Sequence, residues 1–458
     1  MITSSAFAGK RYAVLGLARS GATAVEALLA SGAKVTAWDL QEDARAPFEG
    51  QVELADPLGK DLTGYDGIVV SPGVPLNTHP IKPHAEKYGV PVIGDIELFA
   101  LAHADLPPHR VIGITGTNGK STTTALVHHI LEYAGIPATL GGNIGLAIMG
   151  QEPQPDGGVY VLELSSYQID LTRSLNCDAA ALLNITPDHL SRYDGFEGYA
   201  FSKGRLMAMQ STGQFAVFGG EDAATRTILA AEQSRRPAGR AVAVDKQALA
   251  NLQSGWPNLQ GPHNLENVAV AIALVEEIGV SRSQWEAALP LFNGLGHRME
   301  RVTEHDGVLF INDSKATNQA STAPALAAFP PEQCDGLDQR ARIHWIVGGL
   351  PKEDGLGECE QYLGNVAAAY TIGEAGPRFA ELLEPHVPVH RAELLCEAVS
   401  SAMEQTKPGD VILLSPACAS FDQFRDYEKR GEHFRQVVAA VTGASSEIRQ
   451  ALAEGVDV

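Results

Sequence analysis

Short apolar runs alternate with longer segments of helical periodicity along the whole chain. The first run, residues 12–15, ends at Gly16, and a helix-like stretch at 22–30 follows, closed by Gly32. Runs at 34–38, 67–70 and 90–93 come next, the first ending at Asp39 and the second at Ser-Pro-Gly. Runs this short, separated by helical patterns, predict buried parallel strands in βαβ units. Leu-Pro-Pro-His then interrupts a helix that starts at Asp95. Runs at 110–114, 158–164, 179–185 and 214–218 predict a second sheet, with helices at 122–134 and 264–278. A further break at 294–298 precedes runs at 308–312, 343–347, 367–372 and 410–414. No repeat of fixed period is visible. The pattern predicts an α/β protein of three domains, 1–106, 107–299 and 300–458.

One junction carries specific chemistry. Residues 113–121 read Gly-Ile-Thr-Gly-Thr-Asn-Gly-Lys-Ser, between a predicted strand and a predicted helix. Backbone N–H groups of such a turn, with the helix N-terminus behind them, converge on phosphate oxygens. Gly116 and Gly119 permit close approach, Lys120 supplies a point charge, and Ser121 can place a hydroxyl on Mg²⁺. Ile114 stands where the general phosphate-loop pattern has its first Gly. Glu163 ends an apolar run, where a bare carboxylate is costly unless it has a partner. Its place near the end of the second expected strand of this domain favours a metal ligand over a structural acid. His189 and Asp188 follow another strand end, and His189 divides evenly between a functional and a structural role. Lys203 reads as a surface helix lysine on spacing alone.

Other strand ends also lead into polar loops: 312–318 (Asn-Asp-Ser-Lys-Ala-Thr-Asn), Lys352 after Gly-Gly, and 415–424. Arg298 sits at the second domain break. In the first domain, residues 16–21 (Gly-Leu-Ala-Arg-Ser-Gly) follow a strand and open a helix, with Asp39 ending the next strand. That is the logic of a dinucleotide fold, but Ala18 replaces the second Gly of the fingerprint. A nucleotide diphosphate at the helix N-terminus fits as well as NAD.

Length and charge narrow the classes. A chain of 458 residues is too long for one core. Its 34 basic against 55 acidic residues give a formal charge of −21, which argues against bulk nucleic-acid binding. Five scattered cysteines, with no Cys-x-x-Cys pair, suggest a reducing compartment and no zinc site. No apolar run reaches the ~18 residues needed to span a bilayer, and the N-terminus lacks an apolar leader core, so a cytoplasmic protein is expected.

The chain resembles the Mur ligases of bacterial peptidoglycan synthesis over essentially its whole length. The resemblance rests on Gly-Asp-Ile-Glu-Leu-Phe at 94–99, the phosphate loop with Thr122, Gly-Gly-Asn-Ile-Gly at 141–145, and Leu-Glu-Leu-Ser-Ser-Tyr-Gln at 162–168. His263-Asn264, His297-Arg298, the 312–318 loop and Leu-Ser-Pro-Ala-Cys-Ala-Ser-Phe-Asp-Gln-Phe at 414–424 continue it. The resemblance implies a Rossmann-like N-terminal domain, a central P-loop ATPase-like domain and a Rossmann-like C-terminal domain. It implies an ATP-dependent, ADP-forming ligase that adds D-glutamate to UDP-N-acetylmuramoyl-L-alanine through an acyl phosphate; the alternative is another Mur ligase taking a different amino acid, or a folylpolyglutamate synthetase-like ligase. A monomer with no nucleic-acid or membrane partner is expected.

Roles at matching positions follow from it. Gly116, Thr117, Asn118, Gly119, Lys120, Ser121 and Thr122 would cradle ATP phosphates, with Asn264, Asn267, Arg298 and Asp313 on adenine, ribose and phosphate. Ser121 and Glu163 would hold one Mg²⁺. His189 and a carbamylated Lys203 would hold a second, and Lys120, His189 and Lys203 would be catalytic. Arg19, Ser20, Asp39 and Leu40 would contact the uridine diphosphate near Ser71, Pro72 and Gly73, with Asn143 approaching the muramoyl-peptide. Thr317, Lys352, Ser420 and Phe421 would hold D-glutamate. Two departures stand out: Leu350-Pro351 in the usual Gly-Gly-Asp-Gly-Lys loop, and Tyr427 where Phe is common.

Overall fold

The apolar runs become the strands of three main sheets in the computed structural model, which describes residues 1–188, 190–333, 339–352 and 354–443. The first sheet holds β1 (Arg11–Leu15), β2 (Lys34–Trp38), β3 (Glu53–Leu54), β4 (Gly67–Val70) and β5 (Val92–Ile93). All its pairings are parallel, in the order β3-β2-β1-β4-β5. The chain therefore leaves β1 toward β2 on one side and returns to β4 on the other. In open α/β sheets a crevice for ligands opens at such a reversal.

The second sheet holds β6 (His109–Thr115), β7 (Ala138–Gly142), β8 (Gly158–Glu163), β9 (Ala179–Leu182), β10 (Phe215–Phe218) and β11 (Ala241–Ala243). It too is wholly parallel, in the order β11-β10-β9-β6-β8-β7. Every residue of β8, Glu163 included, is buried, as a central parallel strand covered on both faces must be. Glu163 thus ends the third strand of this sheet rather than the second. The intervening β7, Ala-Thr-Leu-Gly-Gly, has too few branched residues to read as a strand, and only its place at the sheet edge makes it one.

The third sheet holds β12 (Glu300–His305), β13 (Val308–Asn312), β16 (Ile343–Gly348), β17 (Val366–Ile372), β18 (Val389–Arg391) and β19 (Val411–Leu414). A separate two-stranded ribbon pairs β14 (Glu332–Gln333) with β15 (Gln339–Arg340). The sheet order is β12-β13-β19-β16-β17-β18, with β12 alone antiparallel. The charged sequence Glu-Arg-Val-Thr-Glu-His of β12 tolerates only this partly solvated edge position.

Contacts group the chain into two compact units, 1–250 with 266–289, and 251–265 with 290–458. The first unit contains the first two sheets. Gly94 N–H donates to Leu171 O, and Glu97 accepts from the N–H groups of Arg173 and Ser174, so the Gly-Asp-Ile-Glu segment ties one sheet region to the other. The helix expected at 22–30 begins earlier, as Arg19–Ala30, because Gly21 lets the first turn press against the β1 loop. A Cβ on Gly21 would lie 1.8 Å from Gly16 O.

Candidate functional site

At the first sheet's reversal point, three segments converge. Gly16 has φ of 88° and turns the chain out of β1. Leu17 N–H donates to Asp39 Oδ2 at 2.7 Å, and Ser71 Oγ donates to Gly16 O at 2.8 Å. Asp39 and Ser71 are thereby held against the loop that opens the Arg19–Ala30 helix. That helix has no side-chain cap and no acid in its first turn, so its N-terminal N–H groups and dipole favour an anion. Leu40 is 89 % exposed beside them, and Arg19 is exposed as well.

The phosphate loop closes on the second sheet. Gly116 and Gly119 have φ of 156° and 81°, backbone that side chains disfavour. Asn184 clamps the loop, accepting from the N–H of Thr117 at its carbonyl and from the N–H of Asn118 at Oδ1. The helix Lys120–Tyr133 begins directly after Gly119. Lys120 Nζ donates back to Gly116 O at 2.9 Å and Thr117 O at 2.7 Å. Asn267 borders the turn: a Cβ on Gly119 would stand 2.3 Å from Asn267 Oδ1.

Beside the loop, Glu163 is 1 % exposed. Its Oε1 accepts from Asn143 Nδ2 at 2.9 Å, while Oε2 is buried with no hydrogen-bond partner. A buried carboxylate oxygen without a donor is costly, and a cation relieves it. Lys203, on the helix Gly195–Met209, is 2 % exposed and donates from Nζ to Gly116 O at 2.7 Å. Burial, and then the nearby Lys120 charge, pull its pKa well below the ordinary lysine value. The surface-lysine reading of Lys203 is therefore overturned. A desolvated amine that is readily neutral is the form that can react with CO₂. The open carboxylate oxygen of Glu163 and the Ser121 hydroxyl are oxygen donors of the kind a hard divalent cation takes. His189 lies outside the described residues. Among those, no group of three or more His, Cys, Asp and Glu side chains is arranged to hold a metal.

In the second unit the polar loops gather at the C-terminal ends of β13, β16 and β19. Asp313 follows β13, is 6 % exposed, and accepts from Met299 N–H at 3.1 Å and Ser415 Oγ at 2.7 Å. Burial raises its pKa to about 7, against the lowering effect of those bonds and of Arg298. Arg298 sits between His297 and Met299, both with positive φ (63° and 46°). Lys352 Nζ donates to Thr317 Oγ1 at 3.0 Å, so two of the expected amino-acid ligands are adjacent. The altered Leu350-Pro351 loop is pinned by paired backbone bonds between Leu350 and Ala419, each 2.9 Å. That bridge leads to Ser420, which is buried, and Phe421, which is 68 % exposed. Asn264 lines a cavity of about 350 Å³ with Gln260, Met299, Ile311 and Phe329.

Two family models match this chain: the Mur ligase middle domain over residues 114–275, and the Mur ligase glutamate ligase domain over 297–418. The chain belongs to the Mur ligase family. Among curated Mur ligases it is 64 % identical to UDP-N-acetylmuramoylalanine–D-glutamate ligase of Novosphingobium aromaticivorans, covering 96 % of this chain and 97 % of that one. The enzyme of the same name from Sphingopyxis alaskensis is 55 % identical over 96 % and 100 %. Among solved structures, a Thermotoga maritima MurF ligase in complex with ADP aligns with a TM-score of 0.57 at 14 % identity, over 96 % of this chain and 97 % of that one. UDP-N-acetylmuramate–alanine ligase from the same organism aligns at 0.54 and 15 %, over 94 % and 99 %. At those identities the likeness is one of fold.

As a Mur ligase, the chain also carries supporting residues that its sequence did not single out. Arg430, 1 % exposed, donates from Nε to Ser314 Oγ and from its Nη atoms to Ser314 O, Cys418 O and Ala419 O. It locks the 312–318 loop to the 415–421 segment. Its place in Tyr-Glu-Lys-Arg-Gly, a solvent-like helical stretch, hides this. Asn184 likewise follows a strand end, just past β9, while Ser415 opens the 415–424 loop already expected at the end of β19 and donates from Oγ to Asp313.

Proposed function

We propose that this Mur ligase joins D-glutamate to UDP-N-acetylmuramoyl-L-alanine, with ATP converted to ADP and phosphate. The carrying observation is the phosphate loop set beside Glu163 and the desolvated Lys203, in a chain 64 % identical to a ligase of that name. ATP phosphates lie on the backbone N–H groups from Thr117 to Ser121, with Lys120 turning from its loop carbonyls onto them and Thr122 behind. Asn267 stands at the loop, and Asn264, Arg298 and Asp313 take the adenosine and phosphate. The substrate carboxylate attacks the γ-phosphorus. A P–O bond forms, the bond to ADP breaks, and the product is an acyl phosphate. The D-glutamate amine then attacks that carbonyl and phosphate leaves. Thr317, Lys352, Ser420 and Phe421 orient the amino acid, and Lys352 supplies the charge that pairs with a carboxylate.

Ser121 and Glu163 would hold one Mg²⁺, and His189 with carbamylated Lys203 a second; these ions supply charge neutralisation for the phosphoryl transfer. Carbamylation joins the neutral Lys203 amine to CO₂ and releases a proton. Arg19, Ser20, Asp39, Leu40 and Ser71–Gly73 take the uridine diphosphate, and Asn143 takes the muramoyl-peptide. We assign these three tasks to modules 1–106, 107–299 and 300–458, each containing one main sheet. One chain carries every group invoked, so a monomer suffices, and the cytoplasm supplies the ATP. No helix among the described residues is long and apolar enough to cross a membrane.

The test is ADP release with UDP-N-acetylmuramoyl-L-alanine and a panel of amino acids. Turnover with D-glutamate alone is expected. Equal turnover with L-lysine or meso-diaminopimelate refutes the substrate assignment. A carbamate carbon signal after exposure to ¹³C-bicarbonate, absent in Lys203→Ala, tests the modification.

A further inference from the structure

The Gly-Asp-Ile-Glu-Leu-Phe segment takes no part in the chemistry described above, yet it contains an unusual carboxyl group. Asp95 is the first residue of the helix Asp95–Ala102 and is 2 % exposed. Its Oδ1 accepts from Ile96 N–H at 3.0 Å, while Oδ2 is buried with no hydrogen-bond partner. The side chain whose hydroxyl acts on this carboxyl, lowering its pKa, is Ser20, in the first turn of the uncapped Arg19–Ala30 helix. A buried carboxyl with an open oxygen therefore adjoins Ser20, a residue assigned above to the nucleotide diphosphate.

We infer that this site takes up a proton together with its anionic nucleotide ligand, and that Asp95 is the group that holds it. The inference rests on the assignment of the uridine diphosphate to this helix N-terminus. In the ionised state Asp95 accepts the Ser20 hydroxyl proton, so Ser20 turns a lone pair toward an incoming phosphate. In the protonated state Asp95 donates to Ser20 Oγ, and the Ser20 O–H is free to donate to the ligand. A diphosphate brought nearby also opposes a second buried negative charge and favours the protonated form.

Burial already raises the Asp95 pKa to about 6, with no charged side chain among the causes. Of the elements packed against this helix, the Arg19–Ala30 helix brings Arg19 and Glu26, both exposed. The turns Ser5–Phe7 and Ile148–Gly150 bring no titratable group. His103 and Asp105 beyond its end are exposed, as are Asp170 and Arg173 on the segment bonded to Gly94. Glu97, on the same helix, is occupied by Arg173 N–H and by Ser174. None of these supplies the missing donor.

The experiment is titration calorimetry of the full chain with UDP-N-acetylmuramoyl-L-alanine, whose diphosphate diester and carboxylate do not titrate near pH 7. Heats in two buffers of different ionisation enthalpy give the proton count. Uptake of more than half a proton per site is expected at pH 7, where a carboxyl with a pKa of about 6 is mostly ionised before the ligand arrives. Wild-type Kd should rise at least tenfold between pH 6.5 and 8.5. Asp95→Asn keeps the shape and can donate to Ser20 at any pH, so its Kd should change less than threefold and its proton uptake should fall by more than half. Wild-type uptake below half a proton, or a variant that keeps half or more of it, overturns the inference. The wild-type pH series stands without any variant. A wild-type protein that does not bind the nucleotide overturns the site assignment and the inference with it; binding without proton uptake overturns the inference alone.

Discussion

Replacing Arg430 by Met tests whether the two loops of the second unit are held in place from behind. The guanidinium makes four hydrogen bonds, to Ser314 Oγ, Ser314 O, Cys418 O and Ala419 O, at 2.9–3.2 Å. Burial draws its pKa down to about 10, so it remains charged at pH 7. Met fills similar space but donates nothing. Ser314 Oγ keeps its bond to Tyr427 O, and Ala419 O keeps the Leu350 N–H. Ser314 O and Cys418 O lose these donors. Leaving a buried acceptor unpaired costs about 1–3 kcal/mol each, and removing a buried charge returns part of its desolvation. A net loss of about 3 kcal/mol follows, equivalent to a Tm drop of roughly 6–12 °C for a domain of this size. Because the loops carry Thr317 and Ser420, the D-glutamate KM should rise more than the nucleotide KM. Differential scanning fluorimetry and steady-state ADP release measure both. A Tm within ~2 °C of wild type and an unchanged D-glutamate KM would show that the strand-end contacts of Asp313 and Ser415 hold the loops unaided.

Three further outcomes follow from the geometry. Gly21→Ala places a Cβ 1.8 Å from Gly16 O, so the loop must shift; nucleotide affinity should fall at least tenfold while ATP binding at the second sheet is retained, read by separate titrations. Glu163→Gln keeps the acceptor for Asn143 Nδ2 but removes the charge, so half-maximal activity should require on the order of tenfold more Mg²⁺; an unchanged Mg²⁺ profile would remove Glu163 from the metal site. Asp313 has a folded-state pKa of about 7 against an ordinary 3.8, so the folded chain binds more protons than the unfolded one between those values. Stability therefore falls as pH rises from about 4 to about 7 and is level above. Asp313→Asn should gain stability relative to wild type between pH 5 and 8 in paired melting curves, and a constant difference would contradict the shift.

The sequence by itself determined the order of the elements, since apolar runs of four to seven residues alternating with helices can bury both faces only in parallel α/β sheets. It also determined the phosphate loop, because glycine spacing and Lys120 are local requirements of a phosphate cradle. The low-propensity edge strands β7 and β12 were not legible, because their neighbours make them strands. Lys203 shows the same divide. Along the chain it is one more lysine on a helix. In the fold its ammonium is buried against Gly116 O, beside Lys120 and near Glu163. Burial and charge proximity depend on residues distant in sequence, so only the tertiary structure decided that Lys203 is a perturbed amine, that Arg430 is a clamp and that Asp95 is a buried carboxyl adjoining Ser20.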